Sequence, residues 1–128
     1  MGFSGINNFP THSIVDGHFR NVLEETGMSF NKEVEMVAIA SKMDLFSTVY
    51  VVTPEEAVQI AHVGTTIGGS IGVVGATVDM DYAIKRTQEI IDAASKVNDE
   101  IIFLAHGGPI NTPEDVRVIL DNTTAHGF

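Results

Sequence analysis

Ile101-Ile102-Phe103-Leu104-Ala105-His106-Gly107-Gly108-Pro109-Ile110 joins a short apolar run to an abrupt His-Gly-Gly-Pro turn. Thr112-Pro113-Glu114-Asp115 follows at once and opens an amphipathic segment carrying Val116, Ile119 and Leu120. An apolar run without alternation suits a parallel strand covered on both faces. Two successive glycines let the backbone turn sharply or approach a ligand closely. Thr112 reads as a helix cap, Pro113 as the first helical residue, and the acidic pair as its first turn. Strand, glycine turn and capped helix make half of a βα repeat. In such folds the chemistry sits beyond the carboxyl end of the strand. His106 is in the right kind of place.

The rest of the chain reads as further units of the same kind. Phe3 to Asn7 is a short strand, and Pro10 ends it. Thr11 to Phe30 is a long polar loop in which His18 to Glu25 form one or two helical turns; a loop of that length is usually functional or disordered. Asn31 caps a helix with Val34, Val37, Ala38 and Met43 near helical spacing. Leu45 to Val52, rich in β-branched and aromatic residues, is a strand. Thr53-Pro54-Glu55-Glu56 repeats the cap, proline and acidic first turn seen at Thr112, with Ala57, Val58, Ile60 and Ala61 as the buried stripe. The chain is therefore α/β with repeated βα units. Gly64 to Gly72 reads as a Gly/Thr/Ser loop, and a long helix runs from about Asp79 to Val97. No strand separates Ala61 from His62, so one strand of the alternation is missing there. Met28, Met36 and Met43 are read as core.

The chain has 128 residues, enough for one domain (residues 1–128) with a modest core. With 44% apolar and 19% charged residues it is globular in character. A formal net charge of -10 argues against nucleic acid or an anionic membrane surface as partner. Cysteine is absent, which excludes disulfides and thiolate metal sites. No apolar run approaches the ~20 residues that span a bilayer, so the expectation is a cytoplasmic protein.

Several ordered blocks then resemble a known family. Gly5 to Thr11, Asp16-Gly17, Phe19-Arg20, Leu23 to Met28 and Glu33 to Met36 look like successive blocks of the phosphoenolpyruvate hydrolase-like TIM barrels. His62-Val63-Gly64, Thr65-Thr66, Gly68 to Gly72 and His106 to Ile110 look like its later blocks. That family groups with indole-glycerol-phosphate-synthase-like barrels and also forms the C-terminal domain of tobamovirus-resistance-like proteins. Its pattern has a strand just before the His-x-Gly block, two strands before the position of Met1, and another from Gly127 onward. The resemblance therefore implies a partial (β/α)8 TIM barrel with roughly half the repeats and one internal strand missing. It also implies a hydrolase or lyase acting on a small phosphorylated or carboxylated keto acid, weakly active or inactive in this form. The alternative is a non-catalytic module that binds other proteins.

On that barrel, Asn7, Asn8, Thr53, His62 and His106 lie at carboxyl ends of strands. His106 and His62 are the candidate acid/base groups, since imidazole titrates near neutrality; either can instead hold a loop carbonyl. Gly68, Gly69 and Ser70, with Thr66 before them, offer backbone N–H groups and hydroxyls to a phosphate or carboxylate, or form a plain connector. Gly107 and Gly108 bind an anion or simply turn the chain. Asp16, Arg20, Glu24 and Glu25 form a charged cluster: Arg20 suits an anion, Glu25 a proton transfer, and the carboxylates Mg²⁺. Apart from the family resemblance, a solvated surface is the better reading of the cluster; Asn8 completes the anion-binding set. Glu35 is a base or a surface residue. His12, His18 and His126 are assigned no role. The expected partners are a small anionic molecule and, through strand edges left open, a second copy.

Overall fold

A computed structural model describes residues 2–9, 15, 17–64, 66–70 (as backbone) and 79–128. Among the described residues are four strands and five helices in βααβαβαβα order: β1 (Gly5–Asn8), α1 (Gly17–Glu25), α2 (Phe30–Lys42), β2 (Phe46–Val51), α3 (Pro54–Ala61), β3 (Thr66–Ser70), α4 (Met80–Ser95), β4 (Phe103–His106) and α5 (Pro113–Asn122). The strands form one sheet in chain order, β1-β2-β3-β4, and every pair is parallel. A parallel pair needs a crossover connection, and here a helix supplies each one.

Local chemistry sets the element boundaries. Thr53 caps α3 by accepting the Glu56 N–H at 3.1 Å, with Pro54 in the first turn. Asp79 caps α4 by accepting from Tyr82 at 2.8 Å. At α5, Thr112 and Asp115 form a reciprocal capping box. The expected cap at Asn31 is displaced: Ser29 is the N-cap of α2, and its side chain makes no capping bond. Phe30 instead begins the helix as a buried residue. The expected long loop holds a nine-residue helix, α1.

Burial alternates along β2 and β4. Ser47, Val49 and Val51, and likewise Phe103 and Ala105, are buried, while Thr48, Tyr50 and Leu104 are half-exposed and Phe46 and His106 exposed. One face of the sheet therefore carries the helices and the other is open. The expectation of strands covered on both faces fails for this reason. Val37, Ala57, Ile60, Ile90, Ile91 and Ala94 pack with Val49, Val51 and Phe103 to make the main core. A smaller cluster under α5 holds Ala83, Ala105, Ile110 and Ile119. Met28, Met36 and Met43 lie at the surface rather than in the core. Val37 and Ala40 already fill the inward stripe of α2.

The largest departure is at the glycine stretch. Thr66–Ser70 is not a loop but the third strand, paired with β2 from Thr48↔Thr66 to Val51↔Gly69 and with β4 from Ile67↔Phe103 to Ser70↔His106. The alternation of strand and helix is thus kept through the Ala61–His62 junction. Ile71 and Gly72, which the same reading made part of the loop, fall outside the described residues, as do Thr65, His12 and Asp16.

Candidate active site at the carboxyl end of the sheet

Register decides which side chains share the open face. Tyr50 pairs with Gly68, and Gly68 with Leu104. In-register neighbours point the same way. Because Gly68 bears no side chain, the ring of Tyr50 reaches across β3 and meets His106 edge-on, with centroids 5.4 Å apart and planes at 89°. Phe9, just beyond β1, packs on the other side of Tyr50 at 5.0 Å. Phe128 stacks on His106 at 5.4 Å with planes 7° apart. Phe9, Tyr50, His106 and Phe128 therefore form a row of touching rings near the carboxyl end of the sheet.

His106 sits at the last position of β4, as expected, and its ring is exposed. Gly107 and Gly108 follow with φ of +83° and +63°, two left-handed residues in succession, so the turn requires glycine. At the α5 N-terminus beyond this turn, an anion already has an internal equivalent. The Asp115 carboxylate accepts from the Asn111 and Thr112 N–H groups at 3.0 and 2.8 Å and from the Thr112 hydroxyl at 2.9 Å. These bonds hold the Asp115 carboxyl below the usual aspartate range, the Asn111 N–H contributing most. A group with a depressed folded-state value stabilises the fold above its unfolded value and loses that contribution as pH falls. Asp115→Asn should therefore lower stability at pH 7, and the gap to wild type should narrow as pH falls below the usual aspartate range. Urea titrations of both proteins across the acid range measure this; a gap that does not narrow with acid refutes it.

The other expected site residues are dispersed. His62 is the C-cap of α3, where its N–H donates to Val58 O at 3.2 Å. Since α3 runs back against the strands, His62 lies near the amino end of β3, not at a carboxyl end. A five-residue strand at about 3.3 Å per residue separates the two ends of the sheet by about 15 Å. His62 and His106 thus act at opposite ends, because a helix and not a strand precedes His62. Thr53 does lie beyond the carboxyl end of β2.

Arg20 donates to Glu56 Oε1 at 3.2 Å, and the other oxygen of Glu56 accepts the Val52 N–H at 2.9 Å. The Glu56 side chain is 5% exposed, so Arg20 balances a buried carboxylate. The pair borders an open cleft of about 360 Å³ that Glu24, Glu55, Thr53 and Gln59 also line. With three carboxylates and one guanidinium, that cleft does not favour an anion. Glu25 is exposed at the end of α1. Asn8 donates its amide to Glu33 of α2. Glu35 pairs with Lys32 at 2.7 Å on the surface. The backbone of Thr66, Gly68, Gly69 and Ser70 lies in the sheet ladder, so the exposed N–H groups of a loop are not what these residues present. Among the described residues no three His, Asp or Glu side chains gather as a metal site.

Tyr50, Phe9, Phe128 and Glu56 were not singled out by sequence reasoning. The signal for Tyr50 was its place in β2 opposite a glycine; Glu56 was hidden as one of two adjacent acidic residues. Among the described residues no helix is long and apolar enough to cross a membrane.

Parallel strands joined by helices, with a histidine and glycine turn at the carboxyl end of the last, define a βα-repeat protein of the kind that carries chemistry on that end. Residues 1–128 match the phosphoenolpyruvate hydrolase-like family, and the chain belongs to it. It is similar to the ToMV susceptible protein tm-1(GCR26) and the ToMV resistance protein Tm-1(GCR237) of Solanum lycopersicum, each 44% identical over 138 residues. A putative transcriptional regulatory protein, y4pA, of Sinorhizobium fredii is 29% identical over 136 residues. These matches take in 100%, 100% and 99% of this chain. The chain in turn spans only 18% of each tomato protein and 22% of the rhizobial one.

Proposed function

We propose that this chain is part of a (β/α)8 barrel whose open sheet face is the barrel interior. In that reading it binds a small phosphorylated or carboxylated keto acid at the carboxyl end of the sheet. His106 moves the proton in a hydrolase or lyase reaction, as the family's name suggests. The observation that carries this is the position of His106: last in β4, exposed, on the open face, and held between Tyr50 and Phe128. Four strands are half of a closed barrel, and with the glycine stretch as β3 the alternation of strand and helix runs unbroken past Ala61. Arg20 and the α5 N-terminus are already engaged by Glu56 and Asp115, which supports weak activity for the chain alone. The cytoplasm is the proposed location.

The test is release of phosphate or pyruvate from phosphoenolpyruvate by the purified chain. Slow turnover is expected, and His106→Ala should reduce kcat by a factor of about 100 or more, as loss of a general acid/base does. Turnover that His106→Ala leaves unchanged would remove His106 from the reaction.

The second reading, a module that binds other proteins, rests on the exposed rings. Phe46 is 58% exposed on the open face, at the amino end of β2, and the row that Phe9, Tyr50, His106 and Phe128 form lies toward the other end of the same face. Exposed apolar patches mark interaction sites, and aromatic residues dominate their energetics. The tomato relatives named for ToMV resistance and susceptibility agree with such a role. A homo-oligomer through this face would appear in size-exclusion with light scattering and revert to monomer in Phe46→Glu. A wild-type monomer at all concentrations excludes self-association.

A further inference from the structure

We infer that the ligand of the candidate site is a 2-keto acid bearing a flat aromatic ring and no phosphate, and that His106 interconverts its keto and enol forms. This rests on the reading of His106 as the group that moves a proton. Charge carries the choice of ligand. None of the four described strands contains an Asp, Glu, Lys or Arg. All seven Lys and Arg residues of the chain lie on helices or, as Lys96 does, at a helix end. Helices α2 to α5 begin at the carboxyl end of the sheet, where a helix N-terminus would favour an anion. Each already has acid in its first turn: Glu33, then Glu55 and Glu56, then Asp81, then Glu114 and Asp115. Arg20 is held by Glu56. A phosphate dianion would meet carboxylates around this rim and no cation on the strands.

The open face offers rings and uncharged hydrogen-bonding groups instead. Phe9 packs on Tyr50 with centroids 5.0 Å apart, and Tyr50 meets His106 at 5.4 Å. Asn7 and Thr48 are in register on the same face, two residues nearer the amino end, which is about 7 Å at about 3.3 Å per residue. Asn7 is exposed and Thr48 half-exposed, so an amide and a hydroxyl lie below the rings. An arylpyruvate matches this order. Its ring lies against Phe9 and Tyr50, its carboxylate takes the two neutral donors, and the CH₂ between them faces the imidazole. Neutral His106 removes one proton from that carbon, and the electron pair forms the C2=C3 double bond. The imidazolium then returns the proton to the carbonyl oxygen, giving the enol. Nothing is oxidised, and no co-reactant is consumed. The ring nitrogens of His106 make no hydrogen bond among the described residues, so both are available for the two transfers.

Loss of the C3 protons of phenylpyruvate into D₂O, followed by ¹H NMR with the purified chain, tests this. Pyruvate is run alongside, each compound relative to its own rate in buffer, and phosphate release from phosphoenolpyruvate is measured on the same preparation. Phenylpyruvate exchange should outrun buffer and fall by a factor of about 100 or more in His106→Ala, as loss of a general acid/base does. The preference for phenylpyruvate over pyruvate in kcat/KM should be about tenfold, the scale of one aromatic pair, and Tyr50→Ala should erase it through KM. Exchange at the buffer rate, equal acceleration of the two keto acids, or an unchanged rate in His106→Ala overturns the inference. Phosphate release without phenylpyruvate exchange also overturns it, while leaving the phosphorylated-substrate reading standing. Phenylpyruvate exchange without phosphate release supports it and removes phosphoenolpyruvate as the substrate.

Discussion

Ile60→Ala is expected to destabilise the fold by about 3 kcal/mol, within the roughly 2–5 kcal/mol found for such truncations in cores. Ile60 is fully buried in α3, a short helix that packs against α4 and β2 at once. Three methylene-sized groups removed there leave a cavity that two elements would have to close together. Domains of this size are stable by only about 5–15 kcal/mol, so the loss is a large fraction of the total. Val58, on the same helix but half-exposed, is the control, and Val58→Ala should cost less than about 1 kcal/mol. Urea unfolding should show a lower midpoint for Ile60→Ala with an unchanged slope. Equal losses from the two substitutions would mean that α3 does not pack as described.

The parts of this fold that could be read from the chain are those in which cause and effect lie a few residues apart. Thr53 and Thr112 bond to amides three positions on, so Thr-Pro-acid-acid announces both helices. Gly107-Gly108 marks its own turn, and the stripes of α3 and α4 carry their period on their surface. The parts that were misread depend on distant partners. Thr66–Ser70 has the composition of a loop, and intrinsic strand preference argues against it. It is a strand because β2 and β4 flank it and supply its hydrogen bonds, and because a flat glycine surface lets Tyr50 meet His106. His62 was placed by likeness to a pattern in which a strand precedes it; with the helix end at Ala61 before it, the same residue falls at the other end of the sheet. Arg20 looked free because Glu56 lies 36 positions away. His126 looked idle because its partner is a backbone N–H 23 positions back. Charge and residue type alone identified groups capable of chemistry; pairing decided which of them remain available. On that criterion His106 survives, and Arg20, Asn8 and the α5 N-terminus do not stand open for an anion.

Gly5→Ala is expected to separate β1 from β2, with a loss of about 3 kcal/mol or more, at or above the upper end for added core methyl groups. A Cβ at Gly5 would fall 2.3 Å from the carbonyl oxygen of Phe46 and 3.1 Å from its carbonyl carbon. Both atoms belong to paired backbone, in register with Gly5 and held by the Phe46 N–H bond to Ser4 O at 3.0 Å. No rotamer change relieves such a contact, so the strand at the edge must lift. With it would go the Asn8 amide from Glu33 and Phe9 from Tyr50, the first ring of the row that ends at Phe128. Gly27 gives the contrast. It has φ of +86° with open space around its Cβ, so Gly27→Ala should cost only the roughly 1–2 kcal/mol of left-handed strain. Amide exchange at Phe46 separates the two cases: protection should collapse in Gly5→Ala and persist in Gly27→Ala. A Gly5→Ala protein as stable as wild type, with Phe46 still protected, would show that β1 does not lie this close to β2 in solution.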